Sequence, residues 1–295
     1  MHERLCLSGL ALVKAFILTL QCPDRPGLVA GVSTLLAGVG GNITEAEQFE
    51  DRESARFFMR IGFDLEPAQE AGLRDQFRTL ADRFGMDWKI RPADHVAKVL
   101  ILVSKFDHCL GDLLYRQRIG ELPMQVAGVV ANHPKDALAV GGLEDVPFHY
   151  LPVTKDTKAA QEAQIKQIVE STGAELIVLA RYMQILSDDM SAYLSGRCIN
   201  IHHSFLPGFK GAKPYHQAHA RGVKMIGATA HYVTGDLDEG PIIAQDVEHT
   251  THADTPDNLV RKGRDIERRV LARAVRLHLE DRVLLNGAKT VVFRD

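Results

Sequence analysis

The chain has 295 residues, which is long enough for one large domain or for two domains of different size. Its formal net charge is −3 with basic and acidic residues interspersed, so the sequence carries no basic footprint for a nucleic-acid partner. No apolar run approaches the roughly 20 residues that a membrane-spanning helix needs. The 4 cysteines include no CxxC pair, which favours a reducing compartment, and we expect the cytoplasm.

The first part of the chain is predicted to be a short N-terminal extension, residues 1–13, followed by a domain over residues 14–91. Apolar spacing in this domain predicts the order strand, helix, strand, strand, helix, strand, which is a ferredoxin-like sandwich. The predicted strands cover 14–21, 43–50, 55–63 and 87–90, and the predicted helices cover 28–39 and 70–84.

Two motifs flank the first predicted helix, Cys-Pro-Asp-Arg-Pro-Gly at residues 22–27 and Gly-Asn-Ile at residues 41–43. Together they resemble the ACT domain family, whose members pair edge to edge and bind small effectors, commonly amino acids. The resemblance implies a homo-oligomer and an amino-acid effector. A dimerisation module that binds no ligand is the alternative. The effector residues implied are Asp24, Arg25, Gly27, Asn42 and Ile43.

Beyond a linker at residues 91–94, strands and helices alternate through the region 96–295, which we expect to be one domain. Near-continuous apolar strands require a sheet covered on both faces, so the pattern predicts an α/β fold with a doubly wound, mostly parallel sheet. The predicted strands are 96–104, 124–132, 148–153, 175–180 and 198–202, and the predicted helices are 110–118 and 158–171. A strand pair at 226–234 and 241–247 and a long amphipathic helix at 257–280 follow.

The end of the strand at residues 198–202 is the candidate centre of the chemistry. Strand side chains alternate between faces, so Asn200 and His202 are predicted to point the same way. Asp238, in the acidic turn 235–241, is placed to reach the imidazole. An amide, an imidazole and a carboxylate together cover oxyanion stabilisation, proton transfer and orientation of the base. A structural histidine and a solvated acidic turn are the alternative interpretation.

No metal and no bound cofactor are expected. His202 and His203 are adjacent on a strand and are predicted to face opposite sides, and His216 and His219 share a helical face without a third ligand. The chain has no GxGxxG motif for a nicotinamide cofactor. The turn at residues 104–109 also lacks the glycines that would cradle a phosphate.

Three strings resemble the folate-dependent formyltransferase family: Asn-Ile-His at 200–202, Ser-Phe-Leu-Pro at 204–207 and Leu-Asp-Glu-Gly-Pro at 237–241. Two longer strings, at 202–207 and 214–218, resemble most the hydrolytic members of that family. The resemblance implies that water cleaves the formyl group from 10-formyltetrahydrofolate, leaving formate and tetrahydrofolate. Asn200 and His202 would then donate to the formyl oxygen. Asp238 would hold the imidazole charged, and either His202 or Asp238 would serve as the general base.

The resemblance also implies a set of substrate-binding residues, because the segment after the strand 175–180 lines the pterin pocket in that family. The residues implied are Met183, Gln184, Ile185, Leu186, Ser204, Leu206, Pro207 and His231. Two alternatives stay open at this point. One is transfer of the formyl group to an amine acceptor, and the other is a non-catalytic sensor of folate or amino acids.

Overall fold

The computed structural model describes residues 13–207 and 214–294, which group into two compact units. The first unit contains the residues up to His95 together with Glu280–Leu284 and the segment that begins at Val291. The second unit contains Val96–Leu279 and Leu285–Thr290. The sequence analysis assigns residues 96–295 to one domain. In the structure, Glu280–Leu284 and the segment from Val291 instead group with the first unit. The predicted N-terminal extension lies outside the described residues except for Val13.

The first unit has the predicted ferredoxin-like order of elements. A four-stranded antiparallel sheet has the strand order β2-β3-β1-β4, and two helices connect its strands. The elements are β1 (Lys14–Pro23), α1 (Leu28–Gly38), β2 (Asn42–Asp51), β3 (Arg56–Leu65), α2 (Glu70–Phe84) and β4 (Asp87–Pro92).

Side-chain alternation on β3 gives this sheet two different faces. Phe57, Met59 and Ile61 belong to the apolar cluster that includes residues of α1 and α2. Phe58 instead packs with Val291 and Phe293, which come from the C-terminal segment. The first unit therefore completes the second face of its sheet with the last residues of the chain.

The second unit is an α/β fold, as predicted. Its seven-stranded sheet has the order β11-β10-β9-β8-β5-β6-β7, parallel from β9 to β7 and antiparallel at β10 and β11. Its strands are β5 (Ala97–Val103), β6 (Met124–Ala131), β7 (Phe148–Tyr150), β8 (Leu176–Leu179), β9 (Cys198–His202), β10 (Met225–Tyr232) and β11 (Ile242–His249). Its helices are α3 (His108–Arg118), α4 (Lys158–Thr172), α5 (Asp188–Tyr193), α6 (Pro214–Arg221) and α7 (Pro256–Leu279).

Two short helices and a hairpin were not predicted. The helices are α5 and α6, and the hairpin consists of β12 (Val283–Asn286) and β13 (Lys289–Val292). Among the described residues, no helix combines the length and the apolar composition required to cross a membrane.

The strand order places the switch point of the second sheet between β5 and β8. The chain winds from β5 to β6 on one side and reaches β8 and β9 on the other, with all four strands parallel. Ligands of open α/β sheets bind beyond the carboxyl ends of the strands at such a point. The carboxyl ends of β8 and β9 are therefore where a site is expected.

Candidate active site

A cavity of about 320 Å³ lies at the carboxyl ends of β8 and β9. Asn200 and His202 both line it, as strand alternation predicts, and Asp238 lines it from the turn after β10. Antiparallel pairing sets His202 opposite Thr229 and Asn200 opposite His231. The three residues that the sequence singled out therefore share one cavity wall.

The turn that carries Asp238 is held very close to β10. Asp238 has a left-handed backbone with φ of 59°, which Asp tolerates better than most residues. A Cβ added at Gly240 would stand 1.7 Å from the carbonyl oxygen of Tyr232, so only glycine fits there. This close approach brings Asp238 Oδ1 to 3.2 Å from His202 Nδ1 and 3.8 Å from His231 Nε2.

His231 fixes the orientation of the Asn200 amide. Its Nδ1–H donates to the carbonyl oxygen of Tyr232 at 2.9 Å, since a carbonyl can only accept. In the neutral ring Nε2 is then an acceptor, and it receives an N–H of Asn200 Nδ2 at 3.2 Å. The second N–H of that amide is left for another acceptor.

The ionisation of Asp238 is set by two opposing effects. Burial disfavours the charged carboxylate, but the hydrogen bond and charge of His202 outweigh it and hold the pKa of Asp238 well below its usual range. His202 is only 7% exposed, and its Nε2 is buried with no hydrogen-bond partner among the described residues. A carboxylate on one ring nitrogen and an unsatisfied nitrogen on the other is the arrangement of an oriented general base.

The segment after β8 is anchored at both ends. Ser104 Oγ accepts from the backbone N–H of Met183 at 2.9 Å, and the Tyr182 hydroxyl donates to Gln161 Oε1 at 3.1 Å. Burial raises the pKa of Tyr182 to about 12. At the far end, Glu162 accepts from the backbone and the hydroxyl of Ser187.

The anchored segment forms one side of the cavity. Met183, Gln184, Ile185 and Leu186 all line it, as the resemblance implied. The Met183 and Ile185 side chains are 52% and 60% exposed, so they provide open apolar surface at the mouth rather than core packing. Such surface suits a flat aromatic ligand.

Ser204 and Leu206, in the loop after β9, do not line the cavity. Ser204 and Leu206 are buried against Thr229, whose hydroxyl donates to Ser204 O and accepts from Leu206 N, both at 3.0 Å. Pro207 does not line the cavity either. Ser204, Leu206 and Pro207 are thus the implied substrate-binding residues that do not line the cavity. The backbone of their loop is hydrogen-bonded to the Thr229 hydroxyl.

The implied effector residues of the first unit lie at opposite ends of α1. Gly27, with φ of 94°, immediately precedes the helix, while Asn42 and Ile43 begin β2 after it. A helix of 11 residues is about 16 Å long. Arg25 donates to the carbonyl oxygen of Arg83 at 2.8 Å. The two halves of the motif therefore lie at opposite ends of this helix.

A buried ionic network near the cavity was missed in the sequence. Glu267, on α7, is 1% exposed and accepts hydrogen bonds from His108 Nε2 at 2.8 Å and from the Tyr215 hydroxyl at 2.6 Å. Arg181 Nε lies 3.3 Å from the same carboxylate. Burial opposes ionisation of Glu267, but the bond from His108 and the charge of Arg181 lower its pKa. The sequence signal that could have indicated this network is a glutamate, Glu267, among the apolar residues on the buried face of α7.

The prediction that the His202 and His203 rings face opposite sides is wrong. Their ring centroids are 5.0 Å apart and their planes differ by 18°, so the rings stack. β9 ends at His202, so strand alternation does not extend to His203. Arg181 Nη1 donates to His203 Nδ1 at 2.7 Å, and both residues line the cavity.

His108, Cys109 and Glu267 bring three potential metal ligands within 4.8 Å of one another. The chemistry of this group does not suit a cation. Burial, followed by the charge of Glu267, raises the pKa of Cys109 well above its ordinary value. The Arg181 guanidinium already pairs with the carboxylate.

Two family models match the chain. The model described as "Formyl transferase" matches residues 97–275, and the model described as "ACT domain" matches residues 16–79. The first match covers most of the second unit and contains Asn200, His202 and Asp238. The second match covers most of β1 to α2.

Curated relatives match along almost the whole chain. The formyltetrahydrofolate deformylase of Corynebacterium sp. (strain P-1) is 51% identical over 280 residues, 94% of this chain and 98% of that protein. The formyltetrahydrofolate deformylase of Escherichia coli (strain K12) is 39% identical over 276 residues, 94% of this chain and 97% of that protein.

Solved structures give the same grouping. A formyltetrahydrofolate deformylase from Burkholderia mallei ATCC 23344 has a TM-score of 0.91 and 54% identity, covering 95% of this chain and 100% of that chain. A glycinamide ribonucleotide transformylase 1 from Symbiobacterium toebii has a TM-score of 0.62 and 29% identity, covering 69% of this chain and 97% of that chain.

Proposed function

Because the chain belongs to the formyltetrahydrofolate deformylase family, we infer that it is a hydrolase acting on 10-formyltetrahydrofolate. Water adds to the formyl carbon, the bond from that carbon to N10 breaks, and N10 takes a proton. The products are formate and tetrahydrofolate. The observation that carries the reaction is His202, which lines the cavity with its Nδ1 on a carboxylate and its Nε2 without a hydrogen-bond partner among the described residues.

We propose that His202 moves the proton. Asp238 is a weak base because its pKa is lowered, so its role is to orient and stabilise the imidazole. Nε2 takes a proton from the attacking water and then delivers it to N10 as the tetrahedral intermediate collapses. The Nδ1–H bond to Asp238 supports the imidazolium in between.

Asn200 is the proposed donor to the developing negative charge on the formyl oxygen. His231 receives one N–H of its amide, which leaves the other N–H pre-oriented for that oxygen. Removing a pre-oriented donor of this kind costs about 10²–10³ in kcat. His231 is thus proposed to act through Asn200 and Asp238.

The folate is proposed to bind along the anchored segment at residues 183–186, with backbone groups meeting the pterin. No metal or bound cofactor is needed, because the imidazole and amide supply both proton transfer and charge stabilisation. An amino-acid effector at the ACT domain and assembly into a homo-oligomer remain proposals that rest on the family resemblance. We propose the cytoplasm as the compartment, since Cys22, Cys109 and Cys198 are free thiols.

Incubation of the purified chain with 10-formyltetrahydrofolate alone tests the function. We expect one formate for each tetrahydrofolate formed, with no amine present, and a kcat lowered by roughly 10²–10³ in a His202→Ala control. Tetrahydrofolate formation that requires an added amine and yields its N-formyl derivative would instead identify a transferase. Binding of the folate with no turnover would identify a sensor.

A further inference from the structure

A chain of contacts connects the buried Glu267 to the catalytic imidazole. Glu267 Oε2 lies 3.3 Å from Arg181 Nε, and Arg181 Nη1 donates to His203 Nδ1 at 2.7 Å. The His203 ring then stacks on the His202 ring at 5.0 Å. None of these contacts is used by the reaction as described above.

The Arg181 side chain can hold His203 in only one way. A guanidinium donates and cannot accept, so the His203 nitrogen that faces it must accept. This fixes both the plane of the His203 ring and a tautomer that leaves Nδ1 without a proton. The His202 ring therefore stacks on a His203 ring whose orientation is fixed by Arg181.

Glu267 in turn determines where Arg181 can lie. Its carboxylate is ionised, and each oxygen already has a donor, His108 on Oε2 and Tyr215 on Oε1. Hydrogen bonds from His108 on α3 and Tyr215 on α6 hold this carboxylate in place beside the Arg181 guanidinium. Arg181 also has a left-handed backbone, with φ of 63°.

We propose that Glu267 is a positioning residue for His202, acting through Arg181 and the His203 ring. This inference rests on the proposed function of the same site. Its effect is to hold the stacked face of the His202 ring in place while Asp238 holds Nδ1. It also balances the charge of Arg181, so that the imidazolium forms beside a neutral pair rather than beside a second cation.

Steady-state kinetics of Glu267→Gln and His203→Asn test the chain. Glu267→Gln keeps the size and removes the charge, while His203→Asn keeps an acceptor for Arg181 and removes the ring. We expect each to lower kcat about 10–10²-fold, with KM for 10-formyltetrahydrofolate changed less than about threefold. The double variant should lose no more than the worse single variant, because both break one chain.

Glu45→Gln is the matched control. It removes a carboxylate that pairs with buried Arg60 at 2.6 Å in the first unit, and it should leave kcat unchanged. A folded Glu267→Gln with wild-type kcat, or losses that multiply in the double variant, would overturn the proposal. If Glu267→Gln does not fold, Glu267→Asp replaces it with the same expectation and the same contrary outcome. Absence of formate release by the wild type would count against the proposed function instead.

Discussion

Two carboxylates of the second unit each contact an imidazole, and they differ in what surrounds the pair. Asp238 sits on a turn at the cavity, and its partner His202 keeps one buried nitrogen without a hydrogen-bond partner among the described residues. Glu267 sits in the middle of α7 and has both oxygens occupied. The first arrangement can react because one atom is still unsatisfied, and the second can only hold its neighbours in place.

The largest expected effect on kcat comes from the residues around Asp238, namely Asn200 and His202. Asn200→Ala and His202→Ala should each lower kcat by roughly 10²–10³, because each removes a group that contacts the reacting atoms. KM for 10-formyltetrahydrofolate should change much less, and formate assays at saturating folate measure the difference. Near-normal kcat in either variant would remove that residue from the mechanism.

Asp238→Asn should lower kcat by about two decades. Asn keeps the size and tolerates the left-handed backbone at this position, but it cannot support an imidazolium. Binding of folate, measured by titration, should be largely retained. A variant within a few-fold of the wild type would show that Asp238 is a turn residue like any other, and the contrast with Glu267 would disappear.

Gly240→Ala tests whether the close approach of the turn to β10 is what places Asp238 beside His202. The new methyl would stand 1.7 Å from Tyr232 O, so the turn must move and kcat should fall about tenfold or more. Gly235→Ala in the same turn is the matched control, since its methyl would meet nothing closer than Asp188 Oδ1 at 3.9 Å. Equal activities of the two variants would contradict this role for Gly240.

The smallest effect is on acid stability. The ordinary pKa values of Asp238 and Glu267 are 3.8 and 4.5, and both are lowered in the fold, so their contribution to stability is present above those values. It is lost as the pH falls through the folded-state pKa values. Urea unfolding at about pH 6 and about pH 3.5 should show a smaller acid loss in Glu267→Gln than in the wild type. An equal loss would mean that Glu267 is not ionised in the fold.

The parts of the fold that sequence predicts well are those set by local spacing. Apolar periodicity and turn residues lie within one element, so the six elements of the first unit and the alternation in the second were predicted. Asn200 and His202 were placed on one face for the same reason, because strand alternation needs no knowledge of the rest of the chain.

The parts that sequence did not predict depend on distant contacts. His108 and Glu267 are separated by 159 residues, and no local pattern pairs them. His203 was misplaced because strand alternation was applied one residue beyond the end of β9 at His202. The hydrogen bonds by which Thr229 holds the backbone of Ser204 and Leu206 also join residues that are far apart in the sequence.

The return of the C-terminal segment to the first unit has a consequence for how the protein is made. Arg60 donates to the carbonyl oxygen of Glu280, 220 residues later, and Phe58 packs against Val291 and Phe293. A ribosome exposes the N-terminal sheet long before it has synthesised these partners. The first unit therefore starts to fold first and finishes last, with one apolar face open while the rest of the polypeptide emerges.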